Sequence, residues 1–143
     1  MNLSDLLKEG RVREVEPDAK QAEECLGAAR RDLSVAKKIL DEDYDWAFSI
    51  SYNAMLQSAR ALMFAQGYRS VGENSHKTVV DFIDVKLGAK YSNKVDLFDD
   101  MRRKRHRVIY EKAGVVSRYE AEHAIKTAEE FVKQIDEKMK TCR

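Results

Sequence analysis

Apolar residues recur along much of this chain in alternating steps of four and three, the spacing that places side chains on one face of an α-helix. The first long stretch begins after Asp18, a residue type that caps helix N-termini. Its apolar positions are Ala22, Leu26, Ala29, Leu33, Ala36 and Leu40. The sequence DEDYD at 41–45 then interrupts the pattern. We predict an amphipathic helix from Asp18 to about Leu40, with its charged residues facing solvent.

The next stretch, about 45–66, repeats the same steps with small side chains. These positions are Ala47, Ser51, Ala54, Ser58, Ala61 and Ala65. Larger apolar side chains flank them, among them Phe48, Met55 and Leu62. Small residues on one face let neighbouring helices approach closely, so we predict that this is the most buried helix of the protein.

Shorter elements complete the prediction. Residues 1–17 suggest a short helix around Leu3, Leu6 and Leu7, followed by a polar connector that ends at Pro17. A loop is expected over 66–75, and a helix over 76–87, capped by Ser75 and ended by Gly88. Two further helices are predicted, one from about Ser92 and one over about 117–141. No stretch shows the alternation typical of a β-strand.

These elements predict an all-α fold, an antiparallel up-and-down four-helix bundle with short extra helices. The chain has 143 residues, of which 36% are charged and 43% apolar, and it has one proline. Such a length and composition are typical of one helix-rich globular domain. We therefore expect a single domain over 1–143, with its core at about 18–141.

Nothing in the sequence indicates a membrane or metal protein. The start is polar, and no apolar run approaches the ~20 residues of a membrane-spanning helix. Cys25 and Cys142 are expected to be reduced thiols, and His76, His106 and His123 are scattered without metal-ligand spacing. We expect a cytoplasmic protein with no cofactor, no metal and no membrane contact, and a structural role for His76.

The segment MRRKRHRVIYEK, residues 101–112, is the dense basic cluster of a chain whose net charge is only +1. Phe98 and Met101 lie on the apolar stripe of the fourth long helix, and one heptad later the same stripe reaches Arg105 and Val108. Arg105 is therefore predicted to point toward the bundle or a partner surface. An arginine placed there requires an anion, which can be a carboxylate such as Asp99 or Glu111, or the phosphate of a ligand.

Arg103, Lys104 and Arg107 are predicted to fan outward, and two interpretations remain open for the four other cations of the cluster. They form either a solvated helix end or a surface that contacts the phosphates of RNA or a nucleotide. These residues are Arg102, Arg103, Lys104 and Arg107.

The order of motifs resembles the HEPN domain family of prokaryotic helical proteins. The resemblance runs through AEECLGAARRDLSVAKKILDEDYDWAFSISYNAMLQSARALMFAQGYRSVGENSHKTVVDFI and on into the basic helix, roughly over 18–135. Its parts are Tyr-Asp-x-Ala, Ser-Tyr-x-Ala and Ala-Arg-Ala-Leu in the second helix, followed by Gly-Tyr and Ser-His-Lys. The resemblance implies a four-helix bundle that forms a homodimer and is often paired with a minimal nucleotidyltransferase in a toxin–antitoxin-like system.

The resemblance also implies a site. Active members of the family are metal-independent ribonucleases, with an arginine, a following polar residue and then a histidine in a cleft at the dimer interface. Here Arg105 matches the arginine and His106 the polar residue, while Tyr110 occupies the place of the histidine. In some relatives a tyrosine near the motif accepts nucleotides from the transferase, which gives Tyr110 an alternative role.

Tyrosine in place of the family histidine affects whether the site can supply a catalytic base. RNA cleavage without a metal requires a base to take the proton of the 2′-hydroxyl and a cation to stabilise the charge on the phosphate. A phenol with an unperturbed pKa of about 10 is a poor base at neutral pH. We therefore expect a homodimeric module that binds a nucleotide, nucleic acid or a nucleotidyltransferase through its basic helix. The alternative is a ribonuclease toxin that uses Arg105, His106 and Tyr110.

Overall fold

Helices dominate the computed structural model, which describes residues 1–72 and 75–141. Within these ranges the structure has six α-helices, one short 3-10 helix at Ala89–Tyr91 and two strands. The α-helices are α1 (Leu3–Lys8), α2 (Ala19–Ile39), α3 (Tyr44–Gln66), α4 (Ser75–Leu87), α5 (Ser92–Tyr110) and α6 (Arg118–Thr141). The strands are β1 (Val12–Glu14) and β2 (Tyr68–Ser70). The helices pack antiparallel, so the predicted all-α fold is confirmed.

Helix α3 lies at the centre of the bundle. It packs most extensively against α2 and α6, and it also contacts α4 and α5. The small side chains of its predicted stripe are buried from Ala47 to Ala61, which confirms that α3 is the most buried helix. Alanine and serine at these positions let α2 and α6 approach the α3 backbone closely on both sides.

Helix ends follow the local chemistry of the sequence. The carboxylate of Asp18 accepts a hydrogen bond from the Gln21 amide at 3.0 Å, and Asp43 caps α3 in the same way. Helix α3 ends at Gly67, whose φ of +85° is accessible mainly to glycine. A Cβ at this position would lie 2.7 Å from the carbonyl oxygen of Val15, so the close approach of the two segments requires glycine here.

The two strands correct the expectation that the chain contains no β-structure. β1 and β2 pair antiparallel, with Val12 opposite Ser70 and Glu14 opposite Tyr68. Each strand has three residues, which is too short to display a recognisable alternation, and its partner lies far away in the sequence. This small ladder joins the connector before α2 to the segment that follows α3.

The start of α4 differs slightly from the prediction. Ser75 is the first helical residue instead of the cap, whereas Gly88 ends the helix as expected, with a φ of +77°. The predicted loop positions 73 and 74, and Cys142, lie outside the described residues. Cys25 is a buried free thiol. None of the helices in the described ranges is both long and apolar enough to cross a membrane.

A row of aromatic rings crosses the bundle and connects four helices. Phe131 of α6 lies 5.1 Å from Phe98 of α5, measured between ring centroids, and Phe98 lies 5.7 Å from Tyr52 of α3. The Tyr52 ring in turn lies 5.8 Å from the imidazole of His76, near the start of α4. Tyr52, Phe98 and Phe131 are fully buried, so this row anchors the first turn of α4 and the middle of α5 to the core.

Candidate functional site

The inner face of α5 changes from apolar to cationic along its length. Val95, Phe98 and Met101 are buried in the core, and one heptad after Phe98 comes Arg105, which is half-buried. The guanidinium carbon of Arg105 lies 5.8 Å from the centroid of the Tyr52 ring. The arginine therefore points toward the bundle, in the direction that the heptad spacing predicts, and its cation rests on an aromatic ring.

Arg105 does not pair with either carboxylate considered for it from the sequence. No ion pair joins it to Asp99 or Glu111, nor to any other carboxylate among residues 1–72 and 75–141. Within these ranges its described contact is with Tyr52, an uncharged ring. A half-buried guanidinium whose charge is not neutralised by a neighbour attracts anions strongly.

Three other cations of α5 are engaged by carboxylates. Arg102 donates from Nε to Asp99 at 2.9 Å, and Arg103 donates to Asp99 at 2.6 Å and also to Asp100. Lys104 forms an ion pair with Glu120 of α6. The sequence predicted that Lys104 faces outward, but it is half-buried and turned toward α6, because Glu120 lies within its reach.

The carboxylate of Asp99 contacts three cations. It accepts from Arg102 and Arg103, and Lys77 of α4 lies 3.6 Å from its Oδ1. Burial alone would raise the pKa of Asp99, but the hydrogen bond from Arg102 and the nearby cations outweigh burial and lower it. Asp99 is therefore ionised at neutral pH, and it neutralises much of the charge on the outer face of α5.

An open depression lies where the start of α4 meets the second half of α5. Its volume is about 320 Å³. Its lining residues are Ser75, His76, Lys77, Arg102, Arg105, His106 and Tyr110. Four of the seven candidate residues from the sequence are thus brought together, namely Arg102, Arg105, His106 and Tyr110. Arg103, Lys104 and Arg107 do not line this depression.

His106 and Tyr110 form the exposed rim of the depression. Their ring centroids are 4.8 Å apart, the contact expected for residues four positions apart on a helix. Both side chains are exposed, and Tyr110 retains 67% of its accessible surface. These rings are therefore available to a ligand or to a second protein surface.

His76 borders the same depression, although the sequence led us to assign it a structural role. Its Nδ1 lies 3.0 Å from the hydroxyl oxygen of Tyr52, within hydrogen-bonding distance. Burial, together with the nearby Arg60, Arg105 and Arg102, lowers the pKa of His76 to about 4. At neutral pH the imidazole is therefore uncharged, in part because it lies beside three arginines.

The signal that could have identified His76 was Tyr52. This tyrosine lies in the most buried predicted helix, and a buried hydroxyl needs a hydrogen-bond partner. Burial raises the pKa of Tyr52 to about 12, so the phenol keeps its proton at neutral pH. A polar group that reaches α3 from another helix was therefore to be expected, but the sequence did not indicate which one.

The side chains and backbone around this depression include several positively charged groups. Two guanidinium groups border it, and the first turn of α4 adds the partial positive charge of a helix N-terminus. Across the described ranges, no group of three His, Cys, Asp or Glu side chains is placed to hold a metal ion. The groups that line the depression suit a phosphate, which accepts several hydrogen bonds at once.

A second depression lies beside the C-terminal end of α5. It is lined by Asp43, Asp45, Trp46, Ser49, Val108, Ile109 and Ala113. Trp46 is 56% exposed and Ile109 38%, so this end of the bundle presents apolar surface next to the rim formed by Tyr110. The carboxylate of Asp45 accepts hydrogen bonds from the amides of Gly114 and Val116, which holds the connector between α5 and α6 in place.

The comparison with solved structures supports the fold. A chain described as the crystal structure of TT1696 from Thermus thermophilus superposes with a TM-score of 0.65 at 24% sequence identity. The match covers 82% of this chain and 98% of TT1696. At this identity the similarity concerns the fold alone. No curated protein matches the sequence.

The family comparison covers nearly the whole bundle. The sequence matches the HEPN domain over residues 7–138, a range that includes α2 to α5 and most of α6. It thus contains the aromatic row and every residue that lines the depression between α4 and α5. The chain belongs to the HEPN domain family.

Proposed function

We propose that this protein is a HEPN-type module that binds the phosphate groups of a nucleotide or nucleic acid in the depression between α4 and α5. Arg102 and Arg105 are the principal phosphate contacts, with His106 and Tyr110 at the rim, where they can stack on a base or sugar. Arg103, Lys104 and Arg107 contribute to the long-range attraction of the polyanion. This proposal treats the basic helix as a recognition element.

The observation that carries the proposal is the environment of the Arg105 guanidinium group. It is half-buried, it rests on the ring of Tyr52, and no described carboxylate pairs with it, whereas Arg102, Arg103 and Lys104 all have carboxylate partners. A guanidinium fork matches two oxygens of one phosphate, and a partly dehydrated site strengthens that interaction. A phosphate is therefore the anion that best completes this site.

We further propose that the module acts as a homodimer and with a minimal nucleotidyltransferase, in a toxin–antitoxin-like pair. Support comes from membership of the HEPN family, whose domains generally pair with nucleotidyltransferases. Support also comes from the apolar side chains Trp46 and Ile109, which are exposed close to Tyr110. We propose that a second copy packs on this end of the bundle.

Binding to RNA tests the proposal directly. A fluorescein-labelled single-stranded RNA oligonucleotide is titrated with wild-type protein, Arg105→Ala and the control Arg107→Ala over a series of salt concentrations. The control removes the same charge from an exposed position of the same helix that does not line the depression. We expect Arg105→Ala to reduce affinity by about 10- to 100-fold and Arg107→Ala by at most about threefold.

The salt dependence of RNA affinity distinguishes a direct phosphate contact from long-range electrostatic attraction. Each phosphate contact to a single strand contributes about 0.7 to the slope of log affinity against log salt, so Arg105→Ala is expected to lower that slope by this amount. Equal losses in the two variants would contradict the assignment of the site to Arg105. If wild-type protein fails to bind RNA, ATP and inorganic phosphate at low salt, phosphate recognition is wrong.

The dimer is tested by light scattering coupled to size-exclusion chromatography. We expect a dimeric mass for wild-type protein and a monomeric mass for Ile109→Glu, because a carboxylate in an apolar interface is costly. The matched control is Val35→Glu, which places the same charge at a similarly exposed apolar position of α2. A monomeric wild-type protein at high concentration would contradict the homodimer.

A ribonuclease is the second candidate function. The observation that favours it is that two imidazoles, those of His76 and His106, border the same depression as Arg105. Arg105 would stabilise the phosphate charge in the transition state, while a neighbouring group removes the proton from the 2′-hydroxyl. Tyr110, at the position of the family histidine, would help to place the RNA or take part in proton transfer.

Cleavage of RNA in EDTA by purified protein separates the two candidates. Wild-type protein is compared with Arg105→Ala and Tyr110→Phe, after circular dichroism has shown that all three are folded. Cleavage that is lost with Arg105→Ala would identify an enzyme. RNA that is bound but remains intact would support the recognition module.

A further inference from the structure

The hydrogen bond between Tyr52 and His76 determines how the imidazole faces the depression. Tyr52 is fully buried, and among the described residues its hydroxyl has one hydrogen-bond partner, Nδ1 of His76. A buried hydroxyl that donates to no acceptor is costly, so the phenol proton is expected to lie on the bond to Nδ1. Nδ1 then accepts that bond, and in the neutral imidazole the ring proton must lie on Nε2.

This tautomer matters because of where the ring lies. Nδ1 is bound to the core through Tyr52, and the ring borders the depression beside Arg102 and Arg105. Nε2 is thus the nitrogen left to face a ligand, and it presents an N–H group. A donor at this position adds to the two guanidinium groups when the ligand is an oxyanion, whereas it cannot remove a proton from a hydroxyl.

We propose that His76 is a third phosphate-binding residue of this site, and that Tyr52 holds it in the Nε2–H tautomer as a hydrogen-bond donor to a phosphate oxygen. This inference rests on the proposed function, since it assumes a phosphate ligand in the depression. It goes beyond that proposal by adding a residue from α4, outside the basic helix. It also favours recognition over catalysis, because the imidazole is held as a donor and not as a base.

The occupied site is expected to alter the protonation of His76. The pKa of this imidazole is lowered to about 4, mainly by burial and also by Arg60, Arg105 and Arg102. A bound phosphate offsets the arginine charges and stabilises the imidazolium, in which Nδ1–H donates to the Tyr52 oxygen. Among residues 1–72 and 75–141, the ionisable groups near His76 are Tyr52 and Arg60 on α3, Lys77 on α4, and Asp99, Arg102, Arg105, His106 and Tyr110 on α5. Phosphate binding should therefore raise the pKa of His76.

The first test is spectroscopic and uses wild-type protein. Long-range 1H–15N correlation spectra distinguish a protonated from an unprotonated ring nitrogen, and the variants His106→Gln and His123→Gln assign the signals. At neutral pH we expect unprotonated Nδ1 and protonated Nε2 for His76, and inorganic phosphate should shift its signals and raise its pKa. The opposite tautomer in the free protein, or signals that phosphate does not move, would overturn the inference.

The second test measures affinity for inorganic phosphate and for the RNA oligonucleotide. His76→Leu is expected to weaken both roughly tenfold, and His76→Gln much less, because the glutamine amide keeps an N–H donor near the position of Nε2. Tyr52→Phe keeps the buried ring but frees the tautomer, so we expect a loss of about three- to fivefold. The control is His123→Leu, an exposed histidine on α6 outside this depression.

The outcomes distinguish the inference from the function on which it rests. If wild-type protein binds phosphate, Arg105→Ala loses binding and His76→Leu does not, the role of His76 is wrong while the proposed function stands. If wild-type protein binds neither phosphate nor RNA, both fail. A loss in His76→Leu that His76→Gln restores, together with the Nε2–H tautomer, supports the inference.

Discussion

The two faces of α5 carry cations of different kinds. On the outer face, Arg103 is exposed and shared between Asp99 and Asp100. On the inner face, Arg105 is half-buried and lies against the ring of Tyr52, with no described carboxylate beside it. Both are arginines of one helix, two positions apart, yet one is largely neutralised by its neighbours and the other is not.

The difference shows that charge density in a sequence is a poor measure of charge available to a ligand. Residues 102–107 form the most basic stretch of the chain, but Asp99, Asp100 and Glu120 engage three of its cations. Helical spacing places these carboxylates three or four residues away, or on the facing helix. Arg105 on the inner face lacks such a partner among the described residues, so its charge stays available to an anion.

The largest expected effect on stability comes from removing a buried aromatic ring on the inner face of α5. Phe98→Ala deletes a fully buried ring between Tyr52 and Phe131, which should lower the free energy of unfolding by about 3–5 kcal/mol. Urea unfolding followed by circular dichroism measures this change. The matched control is Tyr119→Ala, an exposed aromatic residue, and a similar cost in both variants would contradict the importance of the aromatic row.

The second prediction concerns the pH dependence of stability that arises from His76. The folded-state pKa of His76, about 4, lies below the unfolded value of about 6.5, so the folded protein binds fewer protons between these values. Stability is therefore expected to fall as the pH drops from about 6.5 to 4. A shift of this size corresponds to about 3 kcal/mol, which partial exposure reduces to roughly 1–2 kcal/mol.

Urea unfolding at several pH values, for wild-type protein and His76→Gln, isolates this contribution. Carboxylates such as Asp99 also lose their charge at low pH, but they do so in both proteins, so the difference between the two curves reports His76. We expect the variant to be less sensitive to pH in this window. Parallel curves would mean that His76 titrates normally in the folded protein.

The third prediction concerns the carboxylate of Asp99, which neutralises cations on the outer face of α5. Asp99→Asn removes the carboxylate shared by Arg102, Arg103 and Lys77, and it should release their charge toward the depression. We expect a loss of stability of about 1 kcal/mol and a gain in affinity for RNA of about threefold. RNA titration at fixed salt measures the gain. An unchanged affinity would show that the charge released from Asp99 does not strengthen RNA binding.

The smallest changes in stability and in RNA affinity are expected for a substitution on the outer face of α5. Arg103→Ala should change stability by less than about 0.5 kcal/mol, because exposed ion pairs contribute little. Its affinity for RNA should fall less than about twofold, with an unchanged salt slope. Thermal unfolding and the RNA titration provide the two measurements. A loss comparable to that of Arg105→Ala would remove the distinction between the faces.

Much of the helical fold could be predicted from the sequence because it depends on local patterns. The stripes of α2 and α3, the cap at Asp18 and the helix end at Gly88 all follow from spacing and backbone preference. The β1–β2 ladder was missed because two short segments distant in sequence form it. Contacts of that kind depend on the packing of the whole chain.

The candidate site was predicted only in part, for the same reason. The inward direction of Arg105 followed from the heptad that begins at Phe98, which is a local relation. The role proposed for His76 depends on Tyr52 and on Arg102, which lie on two other helices. Likewise, Lys104 was expected to face outward, because Glu120 comes near it only when α6 folds back along α5.

The position of Trp46 gives the protein a built-in optical reporter. It is the single tryptophan of the chain, and its half-exposed indole lies in the depression beside Val108 and Ile109, next to the end of the helix that carries Arg105. Indole emission depends on the polarity of its surroundings. Docking of another subunit on this end, or ordering of the helix terminus by a ligand, can therefore be followed in unlabelled protein through its intrinsic fluorescence.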